Sequence, residues 1–286
     1  MRRMNWIAPA GLTALVLGVA TVVLMGPALA SQPQPWQLGF QDSASPTMTE
    51  IVSLHNFLLW IIAAISIFVL GLLVWVAVKF NRRANPNPES FTHNTLIEVV
   101  WTVVPVLILV VIAVPSFRLL YFLDTIPPEE EVGLTIKATG YQWYWTYQYP
   151  DIYGDEEFIA TMIEEEDLGV DAYGDLQPRL LATTADVVVP VGTNVRVIVH
   201  AWAVPAFGVK MDAVPGRLNE TWFKAERTGM FYGQCSELCG VKHAFMPISV
   251  RVVTQQEFDQ WVADTSSELG LAANDGSDIL VQANAE

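Results

Sequence analysis

Residues 57–78 and residues 99–117 contain no Asp, Glu, Lys or Arg, giving uncharged stretches of 22 and 19 positions. At 1.5 Å per residue the first makes about 33 Å of α-helix, enough to cross a hydrocarbon core of about 30 Å, and the second is read as spanning it too. Such segments must satisfy their own backbone polar groups in lipid, so two membrane helices are the predicted outcome. Pro105 and Pro115 fall inside the second stretch and are tolerated where packed neighbours re-satisfy the freed backbone groups. The connection at 79–95 carries Lys79, Arg82 and Arg83 against Glu89 alone. The positive-inside rule therefore puts this loop in the cytoplasm and both outer ends of a hairpin at 51–123 on the opposite side.

The N-terminus predicts the same topology independently. Arg2 and Arg3 precede an apolar run at 7–25 and the small-residue site Ala28-Leu29-Ala30, the make-up of a cleaved secretory signal over 1–30. Residues 31–50 then form an exported segment leading into the first span.

Composition segregates along the chain. Overall it is 52% hydrophobic and 16% charged, with a net charge of −15, against roughly 25% charged residues in an ordinary soluble domain. Residues 124–286 hold 26 acidic and nine basic residues, net −17, and the remainder is +2. That balance excludes a partner bound through phosphate neutralisation, so nucleic acid is ruled out. The apolar content excludes intrinsic disorder, and two cysteines are too few for a disulfide framework.

The exported part reads as β-rich. Residues 132–138 alternate into an aromatic run at 141–149, and 186–191, 195–199 and 248–253 are short β-branched runs bounded by Gly, Pro and Asn. Several short strands at this spacing predict a sandwich or barrel, here over 124–265. Residues 149–174, rich in Gly and acid, read as a surface excursion, and 266–286 as a flexible tail.

Both cysteines fall in one segment, Cys235-Ser236-Glu237-Leu238-Cys239-Gly240-Val241-Lys242-His243-Ala244-Phe245-Met246. The exported part has one further histidine, His200. Thiolate, thioether and imidazole together select copper over hard cations. A single blue copper uses one Cys, two His and a weak Met, so this set has a thiolate too many for one ion and suits two metals bridged by both sulfurs. A disulfide is the competing reading for two nearby cysteines in an oxidising compartment. Zinc is another, although the histidines, 43 positions apart, do not make the usual pairing. His243 and Met246 at short fixed spacing favour copper over both.

These residues carry a resemblance. The metal loop, the segment His200-Ala201-Trp202-Ala203-Val204-Pro205 with Gly208-Val209-Lys210 and Pro215-Gly216-Arg217, the run Gly140-Tyr141-Gln142-Trp143-Tyr144-Trp145, and Phe91-Thr92-His93-Asn94 are similar to subunit II of bacterial cytochrome c oxidases. The similarity runs from Phe40 to Trp261. It implies a membrane α-hairpin plus an all-β, cupredoxin-like Greek-key barrel that carries the dicopper CuA centre. By motif position, Cys235 and Cys239 would bridge two copper ions, His200 and His243 would bind one each, Met246 would be a weak ligand, and Glu237 would give its backbone carbonyl. The Glu237 side chain would reach a magnesium site shared with subunit I.

The resemblance also implies partners: cytochrome c as donor, subunit I with its haems as acceptor, other oxidase subunits, and membrane lipid around the hairpin of a bacterial inner membrane. Trp143 would be where the electron arrives. Ten acids and no base lie between Asp151 and Asp175, a charge run able to steer a basic donor. Glu98, beside the cytoplasmic end of the second span, is a functional candidate as an ionisable residue near a membrane helix, and the family places a proton pathway mouth there. Two departures stand out. Val197-Ile198-Val199 runs straight into His200 without the residues ending in Asp-Val-Ile usual at this point, and Gln148 stands where Glu is frequent; each removes an expected docking acid. A copper-free subunit of a quinol oxidase is the alternative reading, and a membrane-anchored copper or disulfide-handling protein the third.

Overall fold

The structure is a computed structural model that describes residues 30–87, 89–199, 202–212 and 219–270. The expected signal up to residue 29, His200, and the expected tail beyond 270 lie outside the described residues.

Two long helices, α1 (Pro46–Lys79) and α2 (Thr95–Asp124), contain the two uncharged stretches. At 34 and 30 residues they are about 51 and 45 Å long, more than a hydrocarbon core requires. Their large apolar side chains point outward, Trp60, Phe68 and Trp101 among them, as expected of helices whose solvent is lipid. α1 starts well before residue 51, inside the segment expected as an exported lead-in. The reason is local: Ser45 caps the helix by accepting from the Met48 N–H, and Pro46 takes the first position, where its missing N–H costs nothing. The Ser45 hydroxyl donates in turn to the Phe207 carbonyl at 2.7 Å, and the Ala44 N–H donates to the Ala206 carbonyl at 2.9 Å. The membrane helix is thereby fastened to the β-domain at its first turn. Asn94 caps α2 by accepting from the N–H groups of Leu96 and Ile97.

The β-domain consists of two sheets on a shared core. Its strands are β1 (Ala30–Ser31), β2 (Leu134–Tyr141), β3 (Tyr144–Gln148), β4 (Glu157–Ala160), β5 (Val187–Pro190), β6 (Asn194–Val199), β7 (Trp202–Val204), β8 (Val209–Met211), β9 (Asn219–Lys224), β10 (Gly229–Cys235) and β11 (Pro247–Val253). One sheet runs β5-β11-β10-β7-β8, with β1 also on β10, and the other runs β4-β3-β2-β6-β9. β2 pairs with β6, and β5 with β11, in parallel, so residues distant in sequence meet. A one-turn helix α3 (Pro150–Tyr153) follows β3. A last helix α4 (Gln255–Glu268) starts in a capping box made by Thr254 and Glu257 and runs three residues past the expected boundary at 265, its Trp261 ring against Tyr149, Tyr153 and Phe158.

Aromatic stacking fills the centre. Phe207 lies 4.5 Å from Phe223 and 4.8 Å from Phe231, and Trp145 is fully buried. The Tyr149 hydroxyl accepts from the Val188 N–H at 2.8 Å and donates to the Val188 carbonyl at 3.1 Å. That single side chain satisfies both backbone groups of a buried residue across the sandwich.

Candidate metal centre

β10 and β11 are antiparallel, with Gln234 opposite Pro247, and the metal loop is the connection between them. At its stem the Cys235 N–H donates to the Met246 carbonyl at 3.2 Å. The Trp145 indole N–H donates to the same carbonyl, also at 3.2 Å. Both ends of the loop are therefore pinned, and Cys235 and Met246 are buried.

The ligand atoms of Cys235, Cys239 and His243 all lie within 4.8 Å of one another. Cys239 Sγ is 3.8 Å from Cys235 Sγ, 3.7 Å from His243 Nδ1 and 3.4 Å from Met246 Sδ. The Glu237 backbone carbonyl accepts from the Cys235 thiol at 3.2 Å. A disulfide needs its sulfurs at about 2.05 Å, so both cysteines here are free thiols. Burial, opposed by the Glu237 backbone contact and reinforced by Cys239, pushes the Cys235 thiol up to about 11. Metal binding must displace that proton, which ties ligation to pH. Two soft sulfur anions, a thioether and an imidazole converging on one point fit a copper centre.

Four of the predicted ligands, and the Glu237 carbonyl, are thus brought together. The Glu237 side chain is exposed. His200 lies outside the described residues; Trp202, two positions on, is the register partner of Cys235. Glu98 is in the first turn of α2, about 39 Å of helix away from Asp124, and belongs to a different region of the molecule.

Trp143 sits in the two-residue turn between β2 and β3, where Tyr141 pairs with Tyr144. By parity it belongs with the buried Trp145, Tyr147 and Tyr149, but the turn carries it out to the metal loop. A Cβ added to Gly240, whose φ is +123°, would sit 3.0 Å from the Trp143 ring. Glycine here lets the residue after Cys239 reach positive φ and approach the indole closely. The Gln142 side-chain amide donates to the Cys239 carbonyl at 3.3 Å. Gln142 and Trp145 were not among the predicted site residues; the only trace of them in the sequence is the polar residue within an aromatic run and the run's parity.

Gln148 is buried, and its amide donates to the Asp155 carbonyl and to Glu157, so it is a structural donor and no docking position. The acid run is partly consumed internally: Asp151 accepts from the Thr135 N–H, Glu165 pairs with Arg179, and Asp171 accepts from the N–H groups of Tyr173 and Asp175. Glu157 of β4 pairs with Gln148 of β3, at the far end of that strand from Trp143.

Comparison with known proteins settles the family. The family described as cytochrome C oxidase subunit II, transmembrane domain, matches residues 33–119, and its periplasmic-domain counterpart matches 134–253. A Rickettsia bellii protein, probable cytochrome c oxidase subunit 2, is 51% identical over 261 residues, covering 89% of this chain and 92% of that one. The chain belongs to the cytochrome c oxidase subunit II family. A Zea mays cytochrome c oxidase subunit 2 is 47% identical over 247 residues, covering 83% of this chain and 92% of the relative. The solved periplasmic domain of subunit II of cytochrome oxidase from Bradyrhizobium japonicum is 53% identical, covers 50% of this chain and 99% of that one, and superposes with a TM-score of 0.44. As a subunit II, the chain is a membrane-anchored, cupredoxin-like component of an oxidase complex, with a Cys-Cys-His cluster compatible with CuA.

Proposed function

We propose that this chain is the electron-receiving subunit of a respiratory oxidase in a bacterial inner membrane. Electrons from cytochrome c arrive at Trp143 on the periplasmic side and leave for haem in subunit I, where oxygen is reduced to water with proton translocation. The observation that carries this reading is the convergence of Cys235, Cys239, His243 and Met246 within a pinned loop directly beneath Trp143. The four side chains, with His200 and the Glu237 carbonyl, would hold a pair of copper ions. Bound copper supplies reversible one-electron chemistry spread over two metals and two sulfurs.

The chain's own residues do the rest. Cys235 and Cys239 give up their protons to become ligands. Trp145 and the Cys235 N–H fix Met246 from behind through its carbonyl, while Gln142 fixes Cys239. Burial of Cys235 and Met246 keeps water from the ligands, which limits rearrangement on a change of charge. The exposed acids, Glu156, Glu166 and Asp167 among them, steer a basic donor by their field. Glu237 is read as a contributor to a magnesium site shared with subunit I, and Glu98 as the mouth of a proton path.

Stopped-flow mixing of the oxidase with reduced cytochrome c tests this. Trp143→Phe is expected to slow electron arrival at least tenfold with copper content unchanged, and the wild-type rate is expected to fall as ionic strength rises. Unchanged arrival in the variant, or a rate flat with salt, contradicts the reading.

A further inference from the structure

Each membrane helix meets its first charged residue, on the side facing the β-domain, at one position. On α1 it is Glu50, followed by no Asp, Glu, Lys or Arg until Lys79; on α2 it is Arg118, preceded by none back to Glu98. The two have opposite signs and line the same groove of about 500 Å³ between the helices, together with Ser53, Leu54, Phe57, Pro115, Leu119 and Phe122. An acid and a base on adjacent helices would ordinarily pair. Here neither makes an ion pair within 4.0 Å among the described residues. Both side chains are exposed. Phe57 and Phe122 flank the groove at about a third exposed.

The geometry points to a zwitterionic phospholipid of the ethanolamine type seated in this groove, its phosphate on Arg118, its ammonium on Glu50, and an acyl chain along Leu54, Phe57, Pro115 and Leu119. Charge complementarity selects this occupant. An anionic headgroup would satisfy Arg118 and be repelled by Glu50, whereas one carrying both charges answers both residues. Height agrees, because the charges stand where the uncharged stretches end, at the level of headgroups, with the apolar lining continuing from there along the spans. The Ser53 hydroxyl adds a donor for phosphate. An ammonium with N–H groups can hydrogen-bond the Glu50 carboxylate, which a quaternary choline cannot. The inference rests on α1 and α2 spanning the membrane.

The test uses the whole detergent-solubilised oxidase, incubated with mixed micelles of equal phosphatidylethanolamine and phosphatidylglycerol and examined by native mass spectrometry. Wild type is expected to retain one more phosphatidylethanolamine than Arg118→Gln does. Glu50→Gln is expected to exchange that lipid for phosphatidylglycerol, with copper content unchanged in both. A benzophenone amino acid in place of Leu119 is expected to crosslink to phospholipid on irradiation in membranes. Equal lipid retention in all three proteins overturns the proposal, as does a crosslink to the subunit I polypeptide, which would mean that protein fills the groove. Carbonate washing separates the two failures: a chain that washes off refutes the spanning reading, and one that stays with unchanged lipid refutes only the lipid site.

Discussion

Replacing Gly233 by alanine tests how the fold sets the metal loop. Gly233 lies in β10 two residues before Cys235, where the strand, still paired with β11 through Gly233–Ile248 and Gln234–Pro247, begins to pair on its other side with β7 through Gln234–Ala203 and Cys235–Trp202. A Cβ at position 233 would stand 2.0 Å from the Ala203 carbonyl oxygen, 3.0 Å from its carbon and 3.0 Å from Val204 Cγ2. The nearest atom is backbone, so no rotamer change relieves the clash, and β7 and β10 must separate by about 1 Å. That movement disrupts two ladder pairs at about 0.5–1.5 kcal/mol each and adds overpacking of about 1–3 kcal/mol, a total of about 2–6 kcal/mol. It also draws Cys235 away from Cys239, whose sulfur lies 3.8 Å from its own. Gly233→Ala is therefore expected to unfold at markedly lower denaturant and to bind less copper, read by chemical denaturation and by metal analysis of the same preparation. Gly71→Ala is the control, since nothing lies within 4 Å of its added Cβ and alanine is the better helix former. Wild-type stability and full copper in Gly233→Ala would refute the argument that close approach of these strands fixes the site.

Three further outcomes follow from the structure. Tyr149→Phe strands both buried backbone groups of Val188 and should cost about 2–4 kcal/mol in denaturant unfolding while leaving copper content intact; a loss of copper equal to the loss of stability would contradict the separation of core and site. Burial raises the Asp186 carboxyl to about 6, outweighing the Arg251 guanidinium 4.0 Å away. The folded state then holds this proton more tightly than the unfolded, so stability falls as pH rises from about 4 to 6 and is flat above, by about 2–3 kcal/mol. Asp186→Asn should lack that part of the pH dependence in parallel melts. Glu98→Ala should slow proton uptake in vesicles without changing copper content, and uptake at the wild-type rate would remove Glu98 from the pathway.

The sequence was most legible where one segment sufficed. The spans could be read because absence of charge over a helical length leaves few alternatives, and the convergence of the loop because four candidate ligands fall within twelve positions. Less legible were the contacts that cross the sandwich. Trp145 meets the Met246 carbonyl from 101 residues away and Gln142 meets the Cys239 carbonyl from 97, and no local periodicity encodes either. Gln148 showed in the sequence only as the loss of an acid, and nothing local announced that its amide is buried with its own acceptors. The acid run could be counted in the sequence, but the backbone N–H groups that Asp151 and Asp171 accept from could not be foreseen there. The early start of α1 was legible in principle from Ser45-Pro46, but the docking of that cap on Phe207 was not.

Copper stoichiometry tests the central claim most directly. The exported part of the chain, from Asp124 onward, loaded with copper and freed of excess, should hold two ions per chain and give a mixed-valence spectrum with the unpaired electron shared over both. One copper per chain with a single-ion spectrum, or none, would contradict a dicopper centre built on Cys235, Cys239, His243, Met246 and His200.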